Sequence, residues 1–321
     1  VTAYIVRRLL GLIPTLFIIT IIGFIMMHLM PGNAFQALLF NPKIKNGASL
    51  LKNLQDQNGL NLSWPQQYVN WIGQMAHGNL GNSFEYNQPV SQLIGEYLPN
   101  TLELALAAEI IILIAGIPLG VFQASKVNGK FDISTSFFAI FLFSVPGFIF
   151  ALFLMFIFSF MLNWLPSIGT VTPGVSWSGD LGDRLSHLIL PALSLSLPAI
   201  AGYSRLTRGN TLSVIVQDYV RTARAKGLRQ NKVLFRHVLR NSIIPIVTQF
   251  GFDIGGLFSG AVLIEEIFTW PGMGELSVNA VLNRDYPLIL ATLMIFAVAV
   301  LIGNLIADLF LAAADPRIRY S

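Results

Sequence analysis

Two groups of residues in this chain have types and spacings that could do chemistry. The first is cationic. Arg221, Arg224, Lys226, Arg229, Lys232, Arg236 and Arg240 follow one another at intervals of two to four residues, between stretches apolar enough to cross a membrane. A segment so charged cannot enter lipid, and its spacing is too regular for a slack loop. It would grip an anionic or polar partner. Lipid headgroups would reward each base with about 1 kcal/mol, and a protein partner would take the whole segment as a docking element. Nucleic acid is disfavoured, because no aromatic residues alternate with the bases. The second group is acidic. Glu109 and Asp253 each stand inside an apolar run. Intramembrane carboxylates usually face a water path or a partner, and the flanking runs offer them no Lys or Arg. Glu103 lies nearer the end of its run, where water can solvate it.

Catalytic chemistry is missing. There is no cysteine, so thiol catalysis and zinc-thiolate sites are excluded. Gly129-Lys130 looks like the end of a phosphate-binding loop, but Ala124 stands where the first Gly is needed and Phe131 where Ser or Thr would hold magnesium. His28, His77, His187 and His237 are far apart, with no two at ligand spacing on one helix. No Gly-x-Ser-x-Gly elbow occurs. The chain is expected to be no enzyme and to hold no metal or cofactor itself.

The elements that must position these groups follow from composition. Of 321 residues, 54% are hydrophobic and 11% charged, against about 25% charged in a soluble domain. Six apolar spans can be drawn, near 9–30, 100–123, 133–162, 188–206, 242–264 and 287–311, each long enough for a bilayer core of about 30 Å. The first is too long for a signal-peptide core and no small-residue cleavage site follows it, so it reads as a retained helix. Fifteen bases fall on one side of this topology and five on the other. The basic excess predicts a cytoplasmic face carrying both termini and the segment 207–241. The fold class expected is therefore an all-α membrane protein with six transmembrane helices.

Within that frame, residues 31–98 make the largest extracytoplasmic segment. Ser63 and Pro65 predict a helix start, with Tyr68, Val69, Ile72 and Met75 on one face and Trp71 beside them. It suits either a membrane interface or a cap packed on the bundle. Pro146-Gly147 predicts a kink in the third span. Pro191 and Pro198 free backbone carbonyls in the fourth, which Ser194, Ser196 and Ser204 or a neighbouring helix must satisfy. In the fifth, Ser242, Pro245, Gln249, Asp253, Gly256 and Gly260 recur every three or four residues and share a face. Ile246, Phe250, Ile254 and Leu257 lie elsewhere. A face so small and polar either packs on another helix or borders a wet cavity, and Asp253 favours the cavity. Gln249, Asp253, Gly256, Gly260, Ser196 and Glu109 are the candidate path-lining residues.

The basic segment reads as a helix with Val220 and Ala223 facing one way and Arg221 and Arg224 another, a stop at Gly227, and a second helix beginning near Asn231. Thr222-Ala223-Arg224-Ala225-Lys226-Gly227, followed by His237, Asn241 and Ile244-Pro245, resembles the coupling loop of ABC-transporter permeases, nearest to their oligopeptide and dipeptide branch. Other stretches resemble that branch too: Arg7-Arg8-Leu9, Met30-Pro31-Gly32, Gly78-Asn79-Leu80-Gly81-Asn82-Ser83, Leu98-Pro99-Asn100-Thr101, His187 to Ala192, Phe268-Thr269-Trp270-Pro271-Gly272-Met273-Gly274, Arg284-Asp285-Tyr286-Pro287 and Asp315-Pro316-Arg317. Against the general Glu-Ala-Ala coupling pattern, Arg221 and Thr222 replace the Glu and the first Ala, and the proline comes late, at Pro245. The peptide branch shows the same changes.

The resemblance implies a type I importer fold and a division into 1–30 (tail and first helix), 31–98 (extracytoplasmic segment), 99–312 (permease core with coupling loop 207–241) and 313–321 (cytoplasmic tail). It implies that Arg221, Thr222, Ala223, Arg224, Ala225, Lys226 and Gly227 seat in an ATP-binding subunit. It further implies a second, homologous permease, two ATP-binding subunits that hold ATP and magnesium, an extracytoplasmic peptide-binding protein, peptide as cargo and the bacterial inner membrane as location. Dipeptide and nickel importers share the branch. Two rivals come from other classes: a stand-alone ion-coupled transporter using Asp253 or Glu109, which inverted repeats would favour, and a non-transporting scaffold, whose expected soluble sensory domain is missing.

Overall fold

The computed structural model describes residues 2–29, 56, 59–174 and 180–314. The whole segment 30–55, with the motif at Met30 to Gly32, and the closing motif at Asp315 to Arg317 lie outside the described residues. The described chain is almost wholly helical, with one isolated antiparallel bridge between Asn82 and Pro89. The helices are α1 (Thr2–Leu29), α2 (Trp64–Ala76), α3 (Val90–Ser125), α4 (Lys130–Ser144), α5 (Gly147–Leu154), α6 (Leu181–Ile215), α7 (Asp218–Ala225), α8 (230–242), α9 (Ile244–Phe268), α10 (Met273–Leu282) and α11 (Tyr286–Ala314). α5 continues as a π-wound stretch, Met155–Met161, and α8 is π-wound in its middle, Val233–Val238. Among the described residues, Leu10–Leu29, Val90–Ser125, Leu181–Ile215 and Tyr286–Phe310 are each long and apolar enough to cross a membrane.

The third span differs from expectation. Lys130–Ser144 and Gly147–Met161 pass the same test only together, and they meet at 99°. Pro146 supplies no N–H, and it disfavours helical geometry at the residue before it. Val145 is accordingly extended, with φ −94° and ψ 127°. The chain breaks there instead of bending. The fifth expected span, 242–264, begins as two pieces: Ser242 ends α8, a turn falls at Ile243, and Pro245 opens α9 in its first turn.

The chain divides into two compact units, Val1–Pro99 with Glu275–Val298, and Asn100–Gly274 with Ala299–Ser321. The first takes in 275–298, a stretch that the sequence division assigned to the permease core. In it, α2 packs on α1. The Ser63 backbone N–H and hydroxyl both donate to Gln66 Oε1, at 3.3 and 2.9 Å, so the expected helix start is stitched from outside. Tyr68 and Thr20 share a hydroxyl hydrogen bond at 2.8 Å, and Tyr68 and Trp71 join Phe24, Met27 and Leu290 in one cluster. Val69 departs from the expected face and is exposed, because Tyr68 and Trp71 turn toward α1. Asp285 is buried beneath the turn 82–89. Its Oδ2 takes the Ser83 hydroxyl and the Glu85 N–H, and its Oδ1 takes the Leu288 N–H as the cap of α11. Two of the family-like motifs are thus a single knot.

The second unit is built on α3, α6 and α9. Leu104, Leu188, Leu190, Ile264, Phe268 and Trp270 form its main core. Pro191 and Pro198 lie within α6 without ending it. The Ser194 hydroxyl donates to the Leu190 carbonyl at 2.7 Å, and Ser196 to Leu193 at 3.2 Å. These are not the carbonyls of His187 and Ser194 that the two prolines leave without an i→i−4 donor, so the expected use of the serines is not what these bonds serve.

Candidate functional site

The cationic segment has a firm seat. Val220 and Ala223 are buried with Val121, Val233, Leu234 and Val238, which spends the one apolar stripe of α7 on its own unit. Arg221, Thr222, Arg224, Ala225 and Lys226 are exposed. Asp218 lies in the first turn of α7, where an acid suits the helix dipole. Its ion pair with Arg221, 3.5 Å long, is solvent-exposed on both sides and contributes little. Gly227 closes the turn with φ +75° and donates its N–H to the Arg224 carbonyl at 2.9 Å. A Cβ there would meet nothing within 4 Å, so what demands glycine is the backbone conformation and not crowding. The second helix starts at Gln230, one residue before the expected Asn231. Asn241 donates to the Tyr219 hydroxyl at 2.7 Å and ties the end of α8 to the start of α7. The cations are therefore carried on a short rigid element.

The polar face of α9 divides in two. Ser242 is buried, within 3.5 Å of the Thr211 hydroxyl. It belongs to α8, so the turn at Ile243 breaks the face there. Pro245, Gln249 and Gly256 are exposed and Asp253 half-buried. Gln249 Nε2 donates to Asp253 Oδ1 at 2.8 Å. The packed side of α9 runs through Ile246, which is buried, and Gly251, whose absent Cβ would strike the backbone of Ala307. The surroundings of Ile254, Leu257 and Gly260 lie outside the described residues. Ser196 is wholly buried and engaged with Leu193.

Glu109 and Asp253, far apart in sequence, come together. Tyr203 of α6 joins them, with its hydroxyl in electrostatic reach of both carboxylates. Glu109 is 4% exposed and Tyr203 3%. Among the described residues the Glu109 oxygens and the Tyr203 hydroxyl approach one another without closing a hydrogen bond of ordinary geometry. Gly116 makes room for this tyrosine: a Cβ on it would sit 2.8 Å from Tyr203 Cβ. Sequence reasoning found the two acids and missed Tyr203, which reads as ordinary apolar filling of a span. Its one signal is Gly116, a glycine inside a helix, which costs stability there and so invites a packing reason.

Other buried charges have partners on neighbouring elements. Glu103 receives the Arg184 guanidinium through Nε, at 2.8 and 2.9 Å, and through Nη2, which replaces the solvated reading of Glu103. Asp132 receives Arg208 at 2.7 and 2.8 Å and the Asn128 N–H at 2.9 Å. Glu265 accepts the Thr101 hydroxyl at 2.7 Å and the Gly274 N–H at 2.6 Å. Thr101 Oγ1 accepts the Met273 N–H at 2.7 Å, and Trp270 Nε1 donates to the Asn100 carbonyl at 3.0 Å. Two more family-like motifs, around Asn100-Thr101 and Trp270 to Gly274, are therefore one lock. Among the described residues no three His, Asp or Glu side chains are placed to hold a metal ion.

A multi-pass helical membrane protein with a rigid cationic projection and a polar face set among its spans is of the transport-permease class. The chain belongs to the family of binding-protein-dependent transport system inner membrane components, which it matches over residues 116–320, with the family's N-terminal part matched over residues 1–105. It is 43% identical to the oligopeptide transport system permease protein AppB of Bacillus subtilis (strain 168), over 99% of each chain. It is 36% identical to the dipeptide transport system permease protein DppB of Alkalihalophilus pseudofirmus and 35% to the glutathione transport system permease protein GsiC of Escherichia coli O6:H1, again over 99% of each. In fold it is similar to a chain of the MetNI methionine ABC transporter in an inward-facing structure, with a TM-score of 0.58 and 14% identity over 70% of this chain and 97% of that one.

Proposed function

We propose that this chain is the membrane permease subunit of an ATP-driven importer of peptides, oligopeptides foremost, in the bacterial inner membrane. It spans six times with both termini inside. It shares the translocation path with a second, homologous permease. Two ATP-binding subunits hold ATP and magnesium beneath it, and an extracytoplasmic binding protein delivers cargo from above. The observation that carries this reading is α7. Its apolar stripe is consumed within its own unit and its cations are presented outward on a helix with a fixed stop, in a chain whose sequence has no phosphate loop. Relatives named for oligopeptide, dipeptide and glutathione transport support the cargo. The excess of bases on the side of α7, fifteen to five, supports the orientation. In this reading α7 converts closure of the ATPases into rigid-body movement of the helices around it.

Reconstitution tests the proposal. The purified chain alone should hydrolyse no ATP, and ATP-dependent uptake should appear with the ATPases, second permease and binding protein. Gly227→Val should insert and assemble into the membrane normally. It holds a β-branched residue at φ +75°, a strain of about 1–3 kcal/mol that α7 can relieve only by shifting its end. Uptake should fall at least tenfold. Proton-driven transport by the chain alone would overturn the reading, and normal ATPase capture and uptake by Gly227→Val would overturn the placement of the coupling surface.

A further inference from the structure

Gln123, Ser159, Thr207 and Asn210 of the second unit each keep a buried polar atom without a close partner, as Glu109 and Tyr203 do, but of these only Glu109 is an acid, and it lies with Tyr203 near a second acid, Asp253. The runs 104–125, 185–204 and 241–283, which carry these last three, contain no Lys or Arg. A carboxylate in such surroundings must be neutralised by a proton or met by a cation. Glu109 is 96% removed from solvent and both of its oxygens are unpaired. The Tyr203 hydroxyl, buried as deeply, lies within reach of both carboxylates without closing a hydrogen bond of ordinary geometry to either. Asp253 is the half-buried member. It stands on the side of α9 where Gln249 and Gly256 are exposed, and Gln249 donates to its Oδ1. The cluster therefore has buried acceptors and one edge reachable from the open face. Three oxygens from three helices form the acceptor set of an ammonium group, which offers three donors and no acceptor.

We propose that these three residues form a way-station for a protonated amine of the cargo, the N-terminal ammonium of a peptide or a lysine side chain. The cargo rests on the peptide-importer reading above, while the anionic site stands on the geometry alone. Amine and carboxylates make charge-assisted hydrogen bonds that replace hydration lost on entering the path. Because the cluster offers acceptor oxygens on two acids and a neutral phenol, the amine can enter at Asp253 and exchange acceptors without dissociating. No covalent step is involved.

The chain has no cysteine, which makes the test direct. Gly256→Cys adds a thiol into open space one turn beyond Asp253. In the full assembled transporter, a cationic methanethiosulfonate reagent should modify this thiol about tenfold faster than an anionic one of equal size, relative to their rates on a free thiol, as one nearby unit charge in a partly wet site requires. Adding Glu109→Gln and Asp253→Asn should abolish the preference, and a small peptide amine should protect the thiol where its acetylated form does not. Equal relative rates with both acids intact would overturn the proposal without recourse to any variant of the acids. So would a preference that survives both neutralisations. ATP-dependent uptake of a labelled peptide by the unsubstituted transporter is measured in parallel. No uptake with the charge preference intact would overturn peptide as the cargo and leave the anionic site. Uptake with no preference would overturn the site and leave the importer.

Discussion

Glu265 and Glu109 are both glutamates buried in the same unit, and each faces α3 or belongs to it. Glu265 is 0% exposed, and its two oxygens are taken by the Thr101 hydroxyl and the Gly274 N–H. Glu109 stands two turns further along α3, about 12 Å from Thr101 at 1.5 Å per residue, and neither of its oxygens is taken. Equal burial therefore conceals opposite chemistry. A buried carboxylate with backbone and hydroxyl donors in place is part of the architecture, and its energy is already collected at folding. One with nothing in place keeps that energy for something that arrives later. The motif residues that make the chain resemble its relatives, Asn100, Thr101 and Trp270 to Gly274, sit at the closed site and hold the frame. The residues at the open site belong to no motif.

The largest effect that can break this comparison is at the lock. Thr101→Val keeps the shape of the side chain and removes the hydroxyl that bridges Glu265 Oε1 and the Met273 N–H. Glu265 loses a donor and the Met273 N–H its acceptor, so the folded protein should lose about 1–3 kcal/mol for each of the two groups, read as a lower thermal midpoint of the purified protein in detergent. Glu265→Gln should fall in the same direction, because the amide turns donors toward the Gly274 N–H. A stability change within about 0.5 kcal/mol in either variant would show that the lock is not closed.

A smaller effect separates the two sides of α9. Gly251 faces the backbone of Ala307 so closely that no Cβ fits, whereas Gly256 faces open space. Gly251→Ala should overpack this contact and cost about 1–3 kcal/mol. Gly256→Ala should stay within about 0.5 kcal/mol. Similar losses for both would mean that the whole helix is enclosed, and the open face would be withdrawn. The comparison uses thermal unfolding of the two variants side by side.

How much of this was legible in the sequence depends on the kind of signal. The apolar runs gave the spans because hydropathy is a local property, and Gly227 gave the helix stop because its conformation is set by its own backbone. The amphipathic reading of 219–226 was legible for the same reason. The break at Pro146 was visible as a kink only, since the extended geometry of Val145 depends on how the two halves pack. The face from Ser242 to Gly260 was drawn through a turn at Ile243 that period counting cannot see. Pairing was least legible. Nothing local tells that Glu103 meets Arg184 or that Ser83 meets Asp285, partners 81 and 202 residues apart. The meeting of Glu109 with Asp253 through Tyr203 is of this kind: each acid was noticed for its unsuitable surroundings, and only the packing of α3, α6 and α9 puts them in one place.

The smallest expected change in stability is at Glu109, and there the comparison is sharpest. Glu109→Gln removes a buried charge that no residue of the described chain satisfies, so no formed hydrogen bond is lost. An amide is cheaper to bury than an unpaired carboxylate. Stability should stay within about 1 kcal/mol of the parent or rise, the reverse of the same substitution at Glu265. Uptake should nevertheless fall, because the group that meets the cargo amine is gone. The fall should be larger for cargo with a free amine than for an acetylated analogue. A purely structural Glu109 would behave like Glu265, losing stability and uptake together with no dependence on the amine. The two glutamates, changed in the same way and measured for both quantities, thus place each one on its side of the line between frame and path.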